Sequence, residues 1–391
     1  MSDWAGLLLK VIYYYGHLIG LSNFEIDWRR GRVFTSKNST LLGIAINFII
    51  FILIFVQSSK QTNFGVFIGK GNKLHLYAIM VMVGLRMTSG LCTVMNRWRQ
   101  RARLMRLARK VLRLYLAKPQ VKRISRWGIL IKVVIAIITD FLQIALTWNS
   151  VARTNSNQSL GLTLQFWMSA IINLATSQHY LITLFVRAYY HLLNTELRQV
   201  INECIILSHL PVRKGCFMTR CCSLADQVDN IARIQSQLQS IVTELNEFVG
   251  IQGLMVYSGY YVFSIITTYF MYSITKSGLE DLQLTISSVI LAISWCFFYY
   301  LDAMINLFIM LNVLDDHNEM KRLLEERTLF ASGLDVRLEE SFESIQLQII
   351  RNSFKIDVNK LFSLSRSSAT AMFGSIITHS IFLIQYDMEY F

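Results

Sequence analysis

Residues 40–57 read TLLGIAINFIIFILIFVQ, a run with no charged residue and no proline. The hydrocarbon core of a bilayer takes roughly 20 apolar residues of helix to cross, and an uncharged run of about this length reads first as a span. Comparable runs follow at Leu74–Asn96, Trp127–Asn149, Gly161–Val186, Glu247–Thr275, Leu284–Asn312 and Ala369–Tyr386. None of them contains proline, and glycines inside them (Gly84, Gly90, Gly259, Gly374) suit close helix packing. The runs predict an all-α membrane protein with seven transmembrane helices.

Composition agrees with lipid as part of the solvent. The chain of 391 residues is 53% hydrophobic, 12% aromatic and 16% charged, against roughly 25% charged in soluble domains. Disorder is excluded, because it needs low hydrophobicity. Six cysteines (Cys92, Cys204, Cys216, Cys221, Cys222, Cys296) are too few for a disulfide scaffold of this length.

The net charge of +13 leaves nucleic acid, a membrane surface or basic loops as readings, and its distribution decides. With the N-terminus in the cytoplasm, segments 1–39, 97–126, 187–246 and 313–368 face inward and hold 31 of the 38 Lys and Arg. The outward segments 58–73, 150–160 and 276–283 hold 5. Cytoplasmic loops carry the excess of Lys and Arg, so the N-terminus is expected inside and the C-terminus outside. That is opposite to a rhodopsin-like receptor, and no nucleic-acid partner is needed. Trp4–Leu21 is apolar but interrupted by Lys10, and it lacks the basic start and small-residue cleavage site of a signal peptide. It reads as an interfacial or re-entrant helix, with an eighth span as the alternative.

The densest basic stretch, Arg97–Arg113, reads RWRQRARLMRLARKVLR, with Leu104, Leu107 and Val111 at helical spacing. It is expected to lie along anionic inner-leaflet lipid, or alternatively to resemble a calmodulin target. Charges inside spans are costly and point to function. Arg86 and Asp140 fall at similar depth and could pair, either at the floor of an outward-open cavity or as a fixed brace. Asp302 is expected near cytoplasmic water or the basic loops, and Lys132 is expected to snorkel. The outer halves of the spans combine aromatic walls with polar anchors: Gln143, Trp148, Gln165, Trp167, Asn173, Tyr269, Tyr272 and Trp295. Small-molecule pockets have this mix, although Trp and Tyr also gather at interfaces.

Asn157-Gln-Ser is a glycosylation acceptor pattern on an outer loop, whereas Asn38-Ser-Thr falls inside and is expected to be unmodified. Cys216, Cys221 and Cys222, with His209 nearby, lack the spacing of a zinc site, so no metal and no cofactor are expected. There is no phosphate-cradling glycine loop, HExxH or nucleophile elbow. Asp315-Asp316-His317 reads as a solvated face, and the chain is not read as an enzyme.

Gly333–Ser368 has Leu338, Phe342, Ile345 and Ile349 at helical spacing and reads as a cytoplasmic helix leading to the last span. The chain ends SSATAMFGSIITHSIFLIQYDMEYF, residues 367–391. Thr378 and Gln385 are seven apart and share a face with Gly374 and Ile381. This narrow polar and small stripe, with nothing polar expected on the other sides, suggests a helix beside a symmetry axis. The alternative places Gln385 at the interface for no other reason than its depth.

Thr378-His379, five residues and Gln385-Tyr386 follow the stretch FKIDVNKLFSLSRSSATAMFGSI. In this the chain resembles the insect gustatory receptor family, whose last span carries Thr-Tyr, five residues and Gln-Phe. Two of the four positions match, with His379 in place of tyrosine and Tyr386 in place of phenylalanine. The opening DWAGLLLKVIYYYGHLIGLSNFEIDWRRGRVF is similar to the fruit-fly gustatory receptor cluster numbered thirty-six, which is associated with bitter-responsive taste neurons.

The resemblance covers essentially the whole chain and implies the insect chemoreceptor channel fold. Residues 1–39 would form a cytoplasmic N-terminus. Residues 40–312 would form a six-helix ligand-binding bundle with cytoplasmic helical loops 97–126 and 187–246. Residues 313–368 would be cytoplasmic anchor helices, and 369–391 the pore-lining span with a short outer tail. The implied function is a tastant-gated, non-selective cation channel in the plasma membrane of taste-neuron dendrites, a homo- or hetero-tetramer of gustatory subunits. Gln385 and Tyr386 would stand at the gate, with Thr378 and Ile381 lining the pore below. The candidate pocket residues are Arg86, Asp140, Gln143, Trp148, Trp167, Asn173, Tyr269, Tyr272 and Trp295. A metabotropic receptor and a transporter remain the alternatives; for the latter, internal repeats and broken helices are not evident.

Overall fold

The computed structural model describes residues 4–28, 30–59, 73–151, 156–209, 214–281, 285–327, 335–352, 354–358 and 362–390. In chain order the elements are α1 (Trp4–Ile19), β1 (Glu25–Asp27), β2 (Arg32–Phe34), α2 (Lys37–Ser59), α3 (Lys73–Arg99), α4 (Arg101–Ala117), α5 (Pro119–Val151), α6 (Ser156–Ser208), α7 (Lys214–Asp281), α8 (Ile286–Arg327), α9 (Val336–Arg351), β3 (Asp357–Val358), β4 (Phe362–Ser363) and α10 (Arg366–Tyr390). The fold is all-α apart from two short antiparallel hairpins, β1–β2 and β3–β4.

Among the described residues, six helices are long and apolar enough to cross a membrane: α2, α3, α5, α7, α8 and α10. The seventh expected run, Gly161–Val186, is continuous helix within α6. Its polar residues, among them Gln165, Asn173 and Gln178, dilute its apolarity. This helix stands at the centre of the fold, packed by α3, α5, α7 and α8, so protein covers much of the surface that lipid would otherwise face. Large apolar side chains on α2 and α5, such as Phe48, Phe55 and Phe141, point outward, as a lipid-facing girdle requires.

Helix α7 is broken near its end at Gly278, whose φ is +76°; at 1.5 Å per residue the unbroken stretch before it is roughly 95 Å long, several times the ~30 Å of a hydrocarbon core. The segment 187–246 is therefore mostly the continuation of two helices rather than a separate loop. Its core follows a heptad-like rhythm. On α7 one buried series runs Cys221, Leu224, Val228, Ile231, Gln235, Leu238, Val242 and Leu245, spaced alternately three and four apart, with Ala225, Ile234 and Ile241 buried beside it. On α6 the matching series is Val186, Tyr190, Leu193, Leu197, Val200 and Cys204. The α9 residues Leu338, Phe342, Ile345 and Ile349 are buried in the same core. The polar exception, Gln235, accepts from Gln348 Nε2 at 2.5 Å; a satisfied polar group in a seam fixes its register.

Three expectations need correction. Helix α9 ends at Arg351, and the chain then forms the β3–β4 hairpin instead of continuing helical to Ser368, with Phe354 and Ile356 tucked into the core. The apolar face of α4 is covered by protein rather than lipid: Leu104, Leu107 and Val111 are all buried. Its basic side meets acidic groups of α7, with Lys110 2.5 Å from Glu244 and Arg103 3.8 Å from Glu247. Asp315-Asp316-His317 is not simply solvated, since His317 is buried and stacks on Phe354 with centroids 4.7 Å apart.

Helix α1 ends on Gly20, whose φ of +86° is the left-handed conformation that closes a helix. A Cβ there would also approach Ile46 Cγ2 to 2.6 Å. The C-terminal end of α1 lies against the middle of the apolar run of α2 (Asn47 Nδ2 to Gly20 O, 3.4 Å) and accepts from Trp167 Nε1 of α6 at 3.2 Å.

Candidate functional site

Arg86 of α3 and Asp140 of α5 line one small cavity, of about 60 Å³, between α3, α5, α6, α7 and α8. They do not form an ion pair. The Arg86 guanidinium lies over the rings of Trp295 (5.2 Å) and Phe263 (5.6 Å). These rings belong to a cluster in which Trp295 stacks on Tyr299 at 5.1 Å and Phe263 stands edge-on to Trp295 at 5.4 Å. Desolvated cation–π contacts stabilise by about 2 kcal/mol or more, so the aromatic wall does for Arg86 what a carboxylate was expected to do. Asp140 instead accepts from Tyr15 Oη of α1 and from Asn173 Nδ2 of α6, each at 2.7 Å. A cation set in rings and a hydrogen-bonded carboxylate thus share one cavity without cancelling each other.

The buried ion pair of the bundle is elsewhere. Lys132 Nζ of α5 lies 2.5 Å from Asp302 Oδ1 of α8, with side-chain exposures of 0% and 4%. Lys132 does not snorkel, and Asp302 is not in contact with bulk water or the basic loops. Asn306 Nδ2 donates to the second Asp302 oxygen at 3.2 Å, and Tyr180 lies 5.5 Å from the ammonium. The pair staples α5 to α8, with Asp302 itself on the cavity wall.

Gln143, Asn173 and Trp295 join Arg86 and Asp140 on the cavity wall. Arg86, Gln143 and Trp295 continue into a wider neighbouring space of about 640 Å³ that also takes Gln165. Trp148 is 78% exposed on the apolar girdle. Trp167 serves α1, as above. Tyr272 lies beneath the Lys276 ammonium at 5.9 Å. Tyr269 is fully buried and faces α10. Sequence reasoning missed Tyr15, Tyr260, Phe263 and Tyr299. The cluster of aromatics on α8 around Trp295 was the available signal for the last; Tyr15 is 125 residues from its partner. Asn157 lies in the first turn of α6, but its side chain is outside the described residues. Cys216, Cys221 and Cys222 are free thiols, and among the described residues no group of three His, Cys, Asp or Glu could hold a metal.

The last helix, α10, packs almost entirely on α7. Gly374, Thr378, Ile381 and Gln385 form one exposed stripe, with Ile381 51% exposed. The opposite side is buried at Ser380 and Asp387. That side is polar, contrary to expectation. Tyr261 Oη meets Ser375 Oγ at 2.7 Å and His379 Nδ1 at 3.1 Å. Asp387 accepts from Tyr269 Oη at 2.9 Å and from Lys276 Nζ at 3.0 Å. His75 of α3 joins through Ser273 at 2.5 Å and Tyr269 at 3.4 Å. Tyr386 stands exposed on the flank, its ring 4.7 Å from Tyr390.

Helix α7 therefore touches both features at adjacent residues. Tyr260 lines the cavity and Tyr261 holds α10.

Comparison with known proteins follows the same lines. A profile of the 7tm chemosensory receptor family matches residues 9–390. The chain is 59% identical to gustatory receptor 36a of Drosophila melanogaster over the full length of both. In three dimensions it is similar to the insect olfactory receptor OR5 of Machilis hrabei, with a TM-score of 0.64 at 12% identity, covering 98% of this chain and all of that one. The same receptor in complex with eugenol matches with a TM-score of 0.53 over the same shares, also at 12% identity.

Proposed function

The chain belongs to the 7tm chemosensory receptor family and is a multi-pass membrane chemoreceptor; on that premise we propose that it is a ligand-gated, non-selective cation channel that answers bitter tastants. In this reading the receptor sits in the plasma membrane of a taste-neuron dendrite, with its N-terminus inside and C-terminus outside. Four subunits, of this chain alone or with other gustatory receptors, surround a pore. A tastant enters the cavity lined by Arg86, Asp140, Asn173 and Trp295. Tyr260 shifts with it, α7 carries the shift, and α10 moves Gln385 and Tyr386 at the gate, with Thr378 and Ile381 below.

The observation that carries this is the division of α10 into two faces. Its hydrogen-bonding face is taken up by α7, while the stripe of Gly374, Thr378, Ile381 and Gln385 has no covering among the described residues. A polar stripe is poorly suited to hydrocarbon and well suited to an axis shared between copies. The complex of the olfactory receptor OR5 with eugenol supports a small, weakly polar ligand for a cavity with aromatic walls. Such a ligand opens the channel only to the extent that it binds the open state better.

Gln385→Ala is expected to alter cation permeation or open probability while surface delivery stays normal, measured as tastant-evoked current against surface label. Currents that persist in excised patches without nucleotide would discard a metabotropic receptor. Confirmed tetramers that pass no current in bilayers with any member of a broad tastant panel would refute the channel.

A further inference from the structure

Arg97, at the far end of α3, is only 4% exposed, and its guanidinium makes none of the ion pairs among the described residues. The Phe248 ring lies 5.1 Å from its Cζ, and its Nε has no hydrogen-bond partner. An isolated charge removed from water is costly, and proteins pair such charges. Arg97 instead lines a second cavity, of about 180 Å³, walled mainly by apolar residues of α1, α4, α6 and α7. Asn306, 2% exposed and with Oδ1 unpartnered among the described residues, also lines it.

A bridging water occupies roughly 10–15 Å³ of such space and needs several polar partners. This cavity is many times larger, and most of its wall offers no such partner. A guanidinium's fork matches a carboxylate or phosphate, and the remaining wall matches hydrocarbon. The cavity meets the tastant cavity at Val256 and Tyr260, which line both, yet it contains none of the candidate tastant residues. From the unpaired Arg97 in this apolar cavity we propose a second binding site, for a lipid-derived anionic amphiphile whose carboxylate or phosphate head pairs with Arg97 and whose apolar tail lies along Leu104, Val111 and Phe248. The proposal does not depend on channel activity.

The test uses the full-length receptor in nanodiscs of zwitterionic lipid, labelled with a photoreactive, clickable fatty acid and mapped by mass spectrometry. Crosslinks are expected on peptides containing Val111 or Phe248. Oleate or lysophosphatidate should compete, whereas oleyl alcohol, which keeps the tail without the charge, should require at least about tenfold more. Arg97→Gln should lower labelling by about tenfold or more, and Arg97→Lys should retain part of it. If Arg97→Gln fails to fold, the comparison of acid with alcohol in the unaltered receptor still decides. Equal competition by the alcohol, crosslinks confined to the outer girdle, or unchanged labelling of a folded Arg97→Gln would overturn the proposal. Displacement by inorganic phosphate as effective as by oleate would also overturn it, because it would identify a free-anion site with no need of a tail.

Discussion

Replacing Asp302 with Asn removes one charge of a fully enclosed pair and leaves Lys132 with no counter-ion in contact. A side-chain exposure of 0% for Lys132 means that bulk water does not reach its ammonium to take over. Breaking a buried pair from one side costs about 3–5 kcal/mol. Neutralising the orphan sets a ceiling of similar size, since shedding a proton at pH 7 costs an ordinary ammonium roughly 4–5 kcal/mol. At about 1.4 kcal/mol per factor of ten, the folded-to-unfolded ratio should fall by a hundredfold to several-thousandfold. Lys132→Met should cost a similar amount, because Asp302 would keep only its contact with Asn306 among those described above. Replacing both, as Lys132→Met with Asp302→Leu, removes the charges together and should be close to neutral. Equilibrium unfolding in mixed micelles, followed by tryptophan fluorescence, gives all three values and the coupling energy of the cycle. Single changes that each cost under about 1 kcal/mol, or a double variant that costs their sum, would show that the pair does not brace α5 against α8.

Two other outcomes follow from the packing. Asp387→Asn should loosen the hold of Lys276 and Tyr269 on α10 and displace the tastant dose–response curve, while the exchange Lys276→Asp with Asp387→Lys restores it; an unchanged curve in Asp387→Asn would remove this contact from the gating path. A Cβ at Gly90 would come within 2.5 Å of Met168 Sδ, so Gly90→Val should destabilise by roughly 1–3 kcal/mol, with Met168→Ala in the same background recovering part of the thermal stability.

The sequence made local and periodic features legible. The apolar runs, the heptad-like seam of α9 and the stripe through Thr378 and Gln385 follow from composition and spacing, and the structure keeps each as helix. The resemblance to gustatory receptors stood on a handful of residues in the last span and on the opening stretch. Pairing was less legible. Arg86 and Asp140 invite an ion pair because they are opposite charges at matching depth, but depth does not reveal lateral position around a bundle. The aromatic ring cluster intercepts one, and Tyr15 with Asn173 takes the other. The amphipathic α4 was assigned to lipid because periodicity shows that a helix has an apolar face without showing what covers it.

Membrane character, helical class and the stripe through Thr378 and Gln385 are thus properties of the chain read in order, since each depends on residues within a few turns of one another, whereas the second polar face of the last helix emerged only from its contacts with α7. The partners of Lys132, Asp140 and Asp387, and the want of one for Arg97 among the described residues, were settled only when helices far apart in sequence came together. A buried charge is governed by whatever lies within a few ångströms of it, and for Lys132 that group is 170 residues away.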